Sequence, residues 1–310
     1  VKILVTGAAG FLGSHLCDSL LLNGYQVVGV DNFFRGKKSN LPNHDNFRFY
    51  ELDLRDLNKT KTMMGIENPE IVVHYAAING TKYFYDIPYR VCNDNILLTQ
   101  NVLDSCGQSV KKVVYASSSE VYGPEPKVPT KETEYIILDS LSDRDSYASS
   151  KAIGEYLVRL WSKENQKNYL IVRPFNTYGP RMATNGYGQV IPEFIERIKS
   201  GEQFYLFGDG NQTRSFCYVT NHTEIMIQLI QNVNDKILNI GFDEEITIGE
   251  LSKIIHEIMG LKFNVIYKEA WKNDTKWRKP SLDELKKHIK YDNFISIKEG
   301  IKKMLKFYNI

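Results

Sequence analysis

Short apolar runs recur along the chain, separated by helical patterns. They are KILVT (2–6), QVVGV (26–30), FRFYE (47–51), IVVHY (71–75), KVVYAS (112–117) and YLIVR (169–173). Apolar residues at helical spacing mark helices at 11–23, 56–65, 89–107 and 147–166. A strand that is apolar at nearly every position is buried on both faces. Such strands alternating with helices form a parallel sheet with helices on both sides. Right-handed crossovers make that sheet doubly wound, so the predicted class is α/β.

After Arg173 the rhythm breaks. PFNTYGPRMATNGYGQ (174–189) is rich in Gly, Pro and Asn and reads as a loop or lid. Helices are predicted at 190–200 and 220–232, and KILNIG supplies a strand, 236–240, that returns to the main sheet. The expected organisation is a nucleotide-binding part, 1–174 with 236–240, and a smaller C-terminal region, 175–310, that binds substrate.

Composition narrows the class. The chain has 310 residues and is 42% hydrophobic, enough for a substantial core. Its 39 basic and 37 acidic residues give a net charge of +2, so no field points to nucleic acid. The basic stretch KEGIKKMLKF (298–307) reads as a helix with a solvated lysine face. The four cysteines (17, 92, 106, 217) form no CxxC pair and the six histidines are scattered, so neither a disulfide frame nor a metal site is expected. No apolar run is long enough for a bilayer, and because folded-type sequence starts at once with VKILVTG, no signal peptide is expected. A cytoplasmic protein is expected.

The first strand leads into TGAAGFLG. Gly7 suits the tight turn, Gly10 the close approach of a pyrophosphate, and Gly13 close packing of helix on strand. The helix start then offers N–H groups and a positive dipole end to phosphates. Asp31 closes the second strand, placed to accept hydrogen bonds from the adenosine ribose. An anion there repels the extra phosphate of NADP, so the expected cofactor is NAD, with Arg35, Lys37 and Lys38 keeping NADP open. Asp53 reads equally as an adenine contact, with Leu54 on the ring, or as a solvated strand-end residue. Tyr147 and Lys151 lie four apart on one helix, hence on one face. A lysine ammonium beside a phenol is expected to lower its pKa, making Tyr147 a base for a sugar hydroxyl whose carbon loses hydride.

Together these motifs resemble the extended short-chain dehydrogenase/reductases, in the NAD-dependent nucleotide-sugar epimerase/dehydratase family. The matching segments are the glycine loop at 7–13, Asp31, HYAA (74–77), SSSEVYG (117–123), YASSK (147–151), RPFNTYGPR (173–181), GDGNQTRSFCYV (208–219) and RKPSLDELKK (278–287). The resemblance implies a Rossmann sheet, NAD oxidising carbon 4 of a nucleotide-diphosphate sugar, and a Ser118–Tyr147–Lys151 catalytic set. It also implies cofactor contacts from Phe11, Leu12, Asn32, Ala76 and Ala77, as well as Tyr147 and Lys151. Asn176, Arg214 and Arg278 are implied on the substrate's phosphates, and Asn95 in a structural role that keeps the site open to solvent. A homodimer through helices 89–107 and 147–166 is implied too. Asn221 stands where the pattern has aspartate and Leu98 where it has glycine, and the loop at 78–86 is unusually aromatic. The nucleotide base is expected to be read by residues around 187–207.

Glu120 sets this chain apart from simple 4-epimerases, which carry a small or hydroxyl side chain there. With carbon 4 a ketone, the proton on carbon 5 is acidic, and Glu120 is the candidate base for epimerisation or dehydration. Ser118-Ser119-Glu120 is similar to the Thr-Ser-Glu of GDP-mannose dehydratases and of UDP-glucuronate decarboxylases, although decarboxylases read differently after the tyrosine. A net carbon-4 dehydrogenase releasing NADH, a Glu120 that only hydrogen-bonds sugar or backbone, and a non-catalytic NAD-sensing module complete the alternatives.

Overall fold

Ile3 and Val5 pack into one apolar cluster and Leu4 into another, so the first strand is buried on both faces, as its unbroken apolar sequence predicts. The computed structural model describes residues 1–182, 189–201, 203–269, 276–290, 292 and 294–310. In chain order β1 (Lys2–Thr6), α1 (Phe11–Leu22), β2 (Gln26–Asp31), β3 (Phe47–Glu51), α2 (Leu57–Glu67) and β4 (Ile71–His74) come first. A short α3 (Thr81–Asp86), α4 (Pro88–Asp104), β5 (Lys112–Ala116), α5 (Asp145–Asn165) and β6 (Asn168–Pro174) follow. The helix expected to reach residue 107 stops at Asp104, short of Gly107, which is a poor helix former.

The C-terminal part holds β7 (Thr177–Tyr178), α6 (Val190–Ser200), β8 (Tyr205–Phe207), β9 (Thr213–Arg214), β10 (Cys217–Tyr218) and α7 (Val219–Asn232). Then come β11 (Lys236–Ile240), β12 (Ile246–Thr247), α8 (Ile248–Ile258), β13 (Ile266–Lys268), β14 (Trp277–Arg278) and α9 (Ile297–Phe307).

Among the described residues, seven parallel strands form the main sheet in the order β11-β6-β5-β4-β1-β2-β3. The chain winds outward from β1 in one direction and from β4 in the other. The crevice beyond the carboxyl ends of β1 and β4 is the switch point where open α/β sheets bind ligands. α1 and α7 share one apolar cluster with the sheet, and α2, α4 and α5 share the other.

The C-terminal region also contributes to the main sheet. β11 returns to the sheet edge beside β6 as expected, and α7 returns with it, packing Met226 and Leu229 into the cluster of Leu16 and Leu20. The reason is geometric: a right-handed crossover into β11 lays its helix across the sheet face. Lys112, at the buried start of β5, donates to the carbonyls of Leu229, Ile230 and Val233 at 3.1, 2.8 and 2.5 Å, placing a cation at the carboxyl end of α7. Asn221 accepts from the Ile295 N–H at 3.1 Å and so ties α7 to the C-terminal segment. α6, α8 and α9 build a third cluster around Phe194, Ile195, Leu251, Ile255 and Ile301.

Candidate active site

Gly7, Gly10, Gly13, Asp31, Asp53, Ser118, Glu120, Tyr147, Lys151, Asn176, Arg214 and Arg278 all line one cleft of about 1180 Å³. Its floor is the turn from β1 to α1. Gly7 takes φ +69°, and a Cβ on Gly13 would lie 2.1 Å from the Gly7 carbonyl oxygen, so only glycine lets α1 start this close to the strand. No side chain caps Gly10 at the start of α1, which leaves the helix's positive end facing the cleft. Asp31 Oδ2 accepts from the Ala9 N–H at 3.0 Å and Oδ1 from the Phe33 N–H at 2.7 Å. Burial raises its pKa, while these backbone donors oppose the rise. The carboxylate is thus fixed at the end of β2 with further lone pairs for a ribose. Asp53 is engaged by Arg55, with Nη2 at 2.7 Å, and by Asn32 at 3.2 Å; the Arg55 hydrogen bonds hold its carboxyl down at about 2.

Across the cleft, α5 carries Tyr147 and Lys151, both buried. Lys151 donates to the Ala116 carbonyl at 2.8 Å, and its Nζ lies 5.7 Å from the centre of the Tyr147 ring. Burial pushes the amine down to about 7. The phenol moves the other way: burial first, then the charge of Glu120, pushes its pKa up, against a hydrogen bond with Ser118 and the charge of Arg35. The expectation that Lys151 lowers the phenol's pKa is therefore corrected for this structure. Desolvation outweighs a lysine whose proton is itself disfavoured by burial.

Glu120 sits in the short 3₁₀ turn after β5, and both its oxygens are gripped. Oε1 pairs with Arg278 and Oε2 with Arg144 at 3.3 Å. Burial disfavours the anion, but the charges of Arg278 and Arg144, the Arg278 hydrogen bond and the charge of Arg214 prevail and hold the carboxyl at about 2. Its two partners stabilise the ionised form and so weaken it as a base. Arg278 lines the cleft and pairs with Glu120. It reaches this wall because β14 pairs with β9 in a register that sets Arg278 beside Arg214. Asn176 points its Nδ2 at the Ser215 carbonyl, 3.1 Å away.

Two supporting groups were only partly legible. Asn95 accepts from the Ile78 N–H at 2.7 Å and donates to the Ile78 carbonyl and to Ser150 Oγ, each at 3.1 Å, tying the loop after β4 to α5 one residue before Lys151. Arg144 escaped sequence reasoning altogether. The signal was available: it stands at the amino end of a helix, where the dipole disfavours a cation, three residues before Tyr147. Residues 187 and 188 of the segment expected to read the base, and residue 202, lie outside the described residues. The described part places Gln189, Arg197, Tyr205 and Phe207 on the cleft wall.

The family model for the NAD dependent epimerase/dehydratase family matches residues 3–241. The chain belongs to that family. It is an enzyme, and its cofactor is NAD; the glycine turn with no room for a Cβ and the backbone-fixed Asp31 fit that dinucleotide. Among curated proteins, the chain is 32% identical over 316 residues to a UDP-N-acetyl-alpha-D-glucosaminuronate decarboxylase of Bacillus cytotoxicus, covering 99% of this chain and 97% of that one. It is 30% identical to UDP-glucuronic acid decarboxylase 1 of Arabidopsis thaliana, covering 98% of this chain and 69% of the relative. Among solved structures, a UDP-glucose 4-epimerase from Thermotoga maritima superposes with a TM-score of 0.92 at 31% identity, covering 100% and 99% of the two chains. Within this epimerase/dehydratase, no described helix is long and apolar enough to cross a membrane, and no described group of three His, Cys, Asp or Glu side chains could hold a metal ion.

Proposed function

We propose that the enzyme oxidises carbon 4 of a nucleotide-diphosphate sugar bearing a carboxylate at carbon 6, then releases that carboxylate as carbon dioxide. The observation that carries this reading is the grip of Arg278 and Arg144 on a carboxylate in the cleft wall beside Tyr147. Two cations converging there suit an acidic sugar, and bidentate guanidinium groups are the natural partners of carboxylates. The names of the curated relatives, decarboxylases of nucleotide-linked uronates, point the same way.

When bound, NAD would supply a reversible hydride acceptor for carbon 4 and, in its oxidised form, a positive charge. Tyr147 takes the proton of the carbon-4 hydroxyl as the hydride leaves and gives one back on its return; Ser118 hydrogen-bonds the same oxygen. Lys151, in its protonated form, supplies the neighbouring cation. The new ketone makes the substrate a β-keto acid, so the bond between carbons 5 and 6 breaks with its electron pair delocalised onto the carbon-4 oxygen. A proton from solvent then adds at carbon 5. No strong base is needed, which agrees with the acidity of Glu120. Its part is to keep Arg144 and Arg278 aimed at the sugar, while Asn176 and Arg214 bind the diphosphate.

A second reading, epimerisation at carbon 4, is favoured by the same acidity, because it needs no chemistry at carbon 5. Mass spectrometry after incubation with NAD and UDP-glucuronate, UDP-N-acetylglucosaminuronate or UDP-glucose in heavy water separates the two. Decarboxylation predicts that a uronate substrate yields a pentose product lighter by carbon dioxide, with one deuterium on carbon 5. Unchanged mass without deuterium, together with a new chromatographic peak that co-elutes with the 4-epimer, means 4-epimerisation. Loss of water would restore Glu120 as a base, and loss of two hydrogens with NADH accumulating would mean a dehydrogenase.

We further propose a homodimer through α4 and α5. These helices pack on each other, and α5 shows Ile153, Tyr156 and Leu160 to solvent at helical spacing, 40%, 57% and 44% exposed. Analytical ultracentrifugation should give twice the chain mass; Tyr156→Glu with Leu160→Glu should give the monomer. A wild-type monomer at micromolar concentration rejects the proposal.

A further inference from the structure

The Phe84 ring lies nearly parallel to the Tyr147 ring, with centroids 5.0 Å apart and planes 14° from each other. Both side chains are buried, at 4% and 6% exposure, and with Ile78 and Val91 they form a small apolar cluster of their own. Phe84 belongs to α3, six residues long, which starts after Gly80 in a backbone conformation (φ +136°) that L side chains rarely adopt. That short helix is tied down on several sides. Asn95 holds Ile78 by two hydrogen bonds, Arg35 donates to the Asn79 carbonyl, and Tyr83 packs on Phe34 at 5.3 Å in the loop after β2. α3 is therefore placed by the cofactor-side loop and by α4, and through Phe84 it meets the phenol on α5.

We infer that Phe84 is a positioning residue, a flat aromatic cover that fixes the plane of the Tyr147 ring and keeps water off one face. The inference rests on Tyr147 being the catalytic phenol; it does not depend on which nucleotide sugar is the substrate. The other groups that bear on the phenol sit elsewhere: Ser118 and Glu120 after β5, Arg35 after β2, and Lys151 one turn along α5. None of them covers the ring as Phe84 does. A phenol held in one plane presents its oxygen to the sugar in one direction, which matters because proton transfer needs hydrogen-bond geometry. Excluding water also penalises the phenolate until a cation is close, so the proton leaves only when the site is complete.

The test compares Phe84→Leu, which removes the ring, with Phe84→Tyr, which keeps it. Turnover is followed with whichever nucleotide sugar of the panel above is converted. Phe84→Leu should lower kcat about tenfold, the upper range for losing one aromatic pair, with KM for the sugar and affinity for NAD within about twofold. Phe84→Tyr should keep kcat within about twofold of wild type. Independently of turnover, ultraviolet titration of each NAD-bound protein, taken as the difference from its Tyr147→Phe counterpart, reads the phenol itself. Phe84→Leu should move that titration to lower pH by about one unit as water reaches the ring. If Phe84→Leu melts below the assay temperature, Phe84→Met fills the volume without a ring and carries the same expectations. A ringless variant that loses thermal stability but keeps wild-type kcat and titration makes Phe84 packing alone and overturns the inference. A rise in KM at unchanged kcat makes it a sugar contact and overturns it too. Full turnover by Tyr147→Phe would instead reject Tyr147 as the catalytic phenol, a separate outcome.

Discussion

Tyr147→Phe is expected to cut kcat by a factor of about 10² to 10⁴, the usual worth of a positioned general acid–base group, with NAD still bound. The substitution removes one oxygen whose hydrogen-bond partner in the fold is Ser118, and leaves the ring stacked on Phe84. Folding should therefore be nearly unchanged, within about 0.5 kcal/mol. Steady-state turnover, NAD retention and a thermal melt on the same preparation check the three parts. A loss below tenfold would mean that another group takes the carbon-4 proton. The phenol's raised pKa, a product of burial and of the Glu120 charge, also fixes the direction of the pH dependence. If the phenolate must form during turnover, the rate rises with pH until the phenol or a compensating cation titrates. With Tyr147 removed, that rising limb should vanish.

Arg173→Met should cost about 3–5 kcal/mol of stability, the range for breaking a buried pair by removing one partner. Arg173 and Glu155 meet in bidentate fashion, Nε to Oε1 at 2.8 Å and Nη2 to Oε2 at 2.6 Å, with side chains 4% and 5% exposed. Arg173 also donates to the Tyr122 hydroxyl at 2.9 Å, and Tyr122 donates to Asn239 on β11 at 2.7 Å. Ser117 closes the network onto Glu155. The pair thus joins the end of β5, the middle of α5, β6 and β11, immediately beneath Ser118 and Lys151. Losing the arginine strands an anion in the core, whereas replacing both partners by apolar residues should recover most of the loss. Urea unfolding of Arg173→Met and of Arg173→Met with Glu155→Leu gives both numbers. A single variant that costs under about 1 kcal/mol would show that water enters and resolvates Glu155.

The same two residues illustrate what periodicity conveys and what it does not. Arg173 closes YLIVR, and its place at the end of a buried strand was plain from the apolar run before it; its partner eighteen positions earlier on α5 was not. The strands of the main sheet stand where the apolar runs placed them, since burial on both faces demands an unbroken apolar stretch and leaves little else the segment could do. The glycine turn was legible for a similar reason: a Cβ on Gly13 collides with backbone wherever the chain makes this turn. Arg144 was hidden because its meaning depends on Glu120, which is distant along the chain. The sequence also suggested a Lys151 that activates Tyr147, since spacing reports proximity but not desolvation, and here desolvation decides the sign.

The sequence alone thus determined the order of strands and helices, the parallel sheet, the nucleotide turn and the Tyr147–Lys151 face. Each rests on interactions between residues close in the chain or on a burial pattern repeated along it. Tertiary structure decided what Glu120 is. The register of β14 on β9 brings Arg278 from more than 150 positions away, and α5 brings Arg144, so that a carboxylate that reads as a base sits between two guanidinium groups. It also decided that α7 covers the main sheet and that Phe84 covers the phenol. Charge, burial and stacking are sums over everything nearby in space, and only the folded chain fixes which neighbours enter the sum.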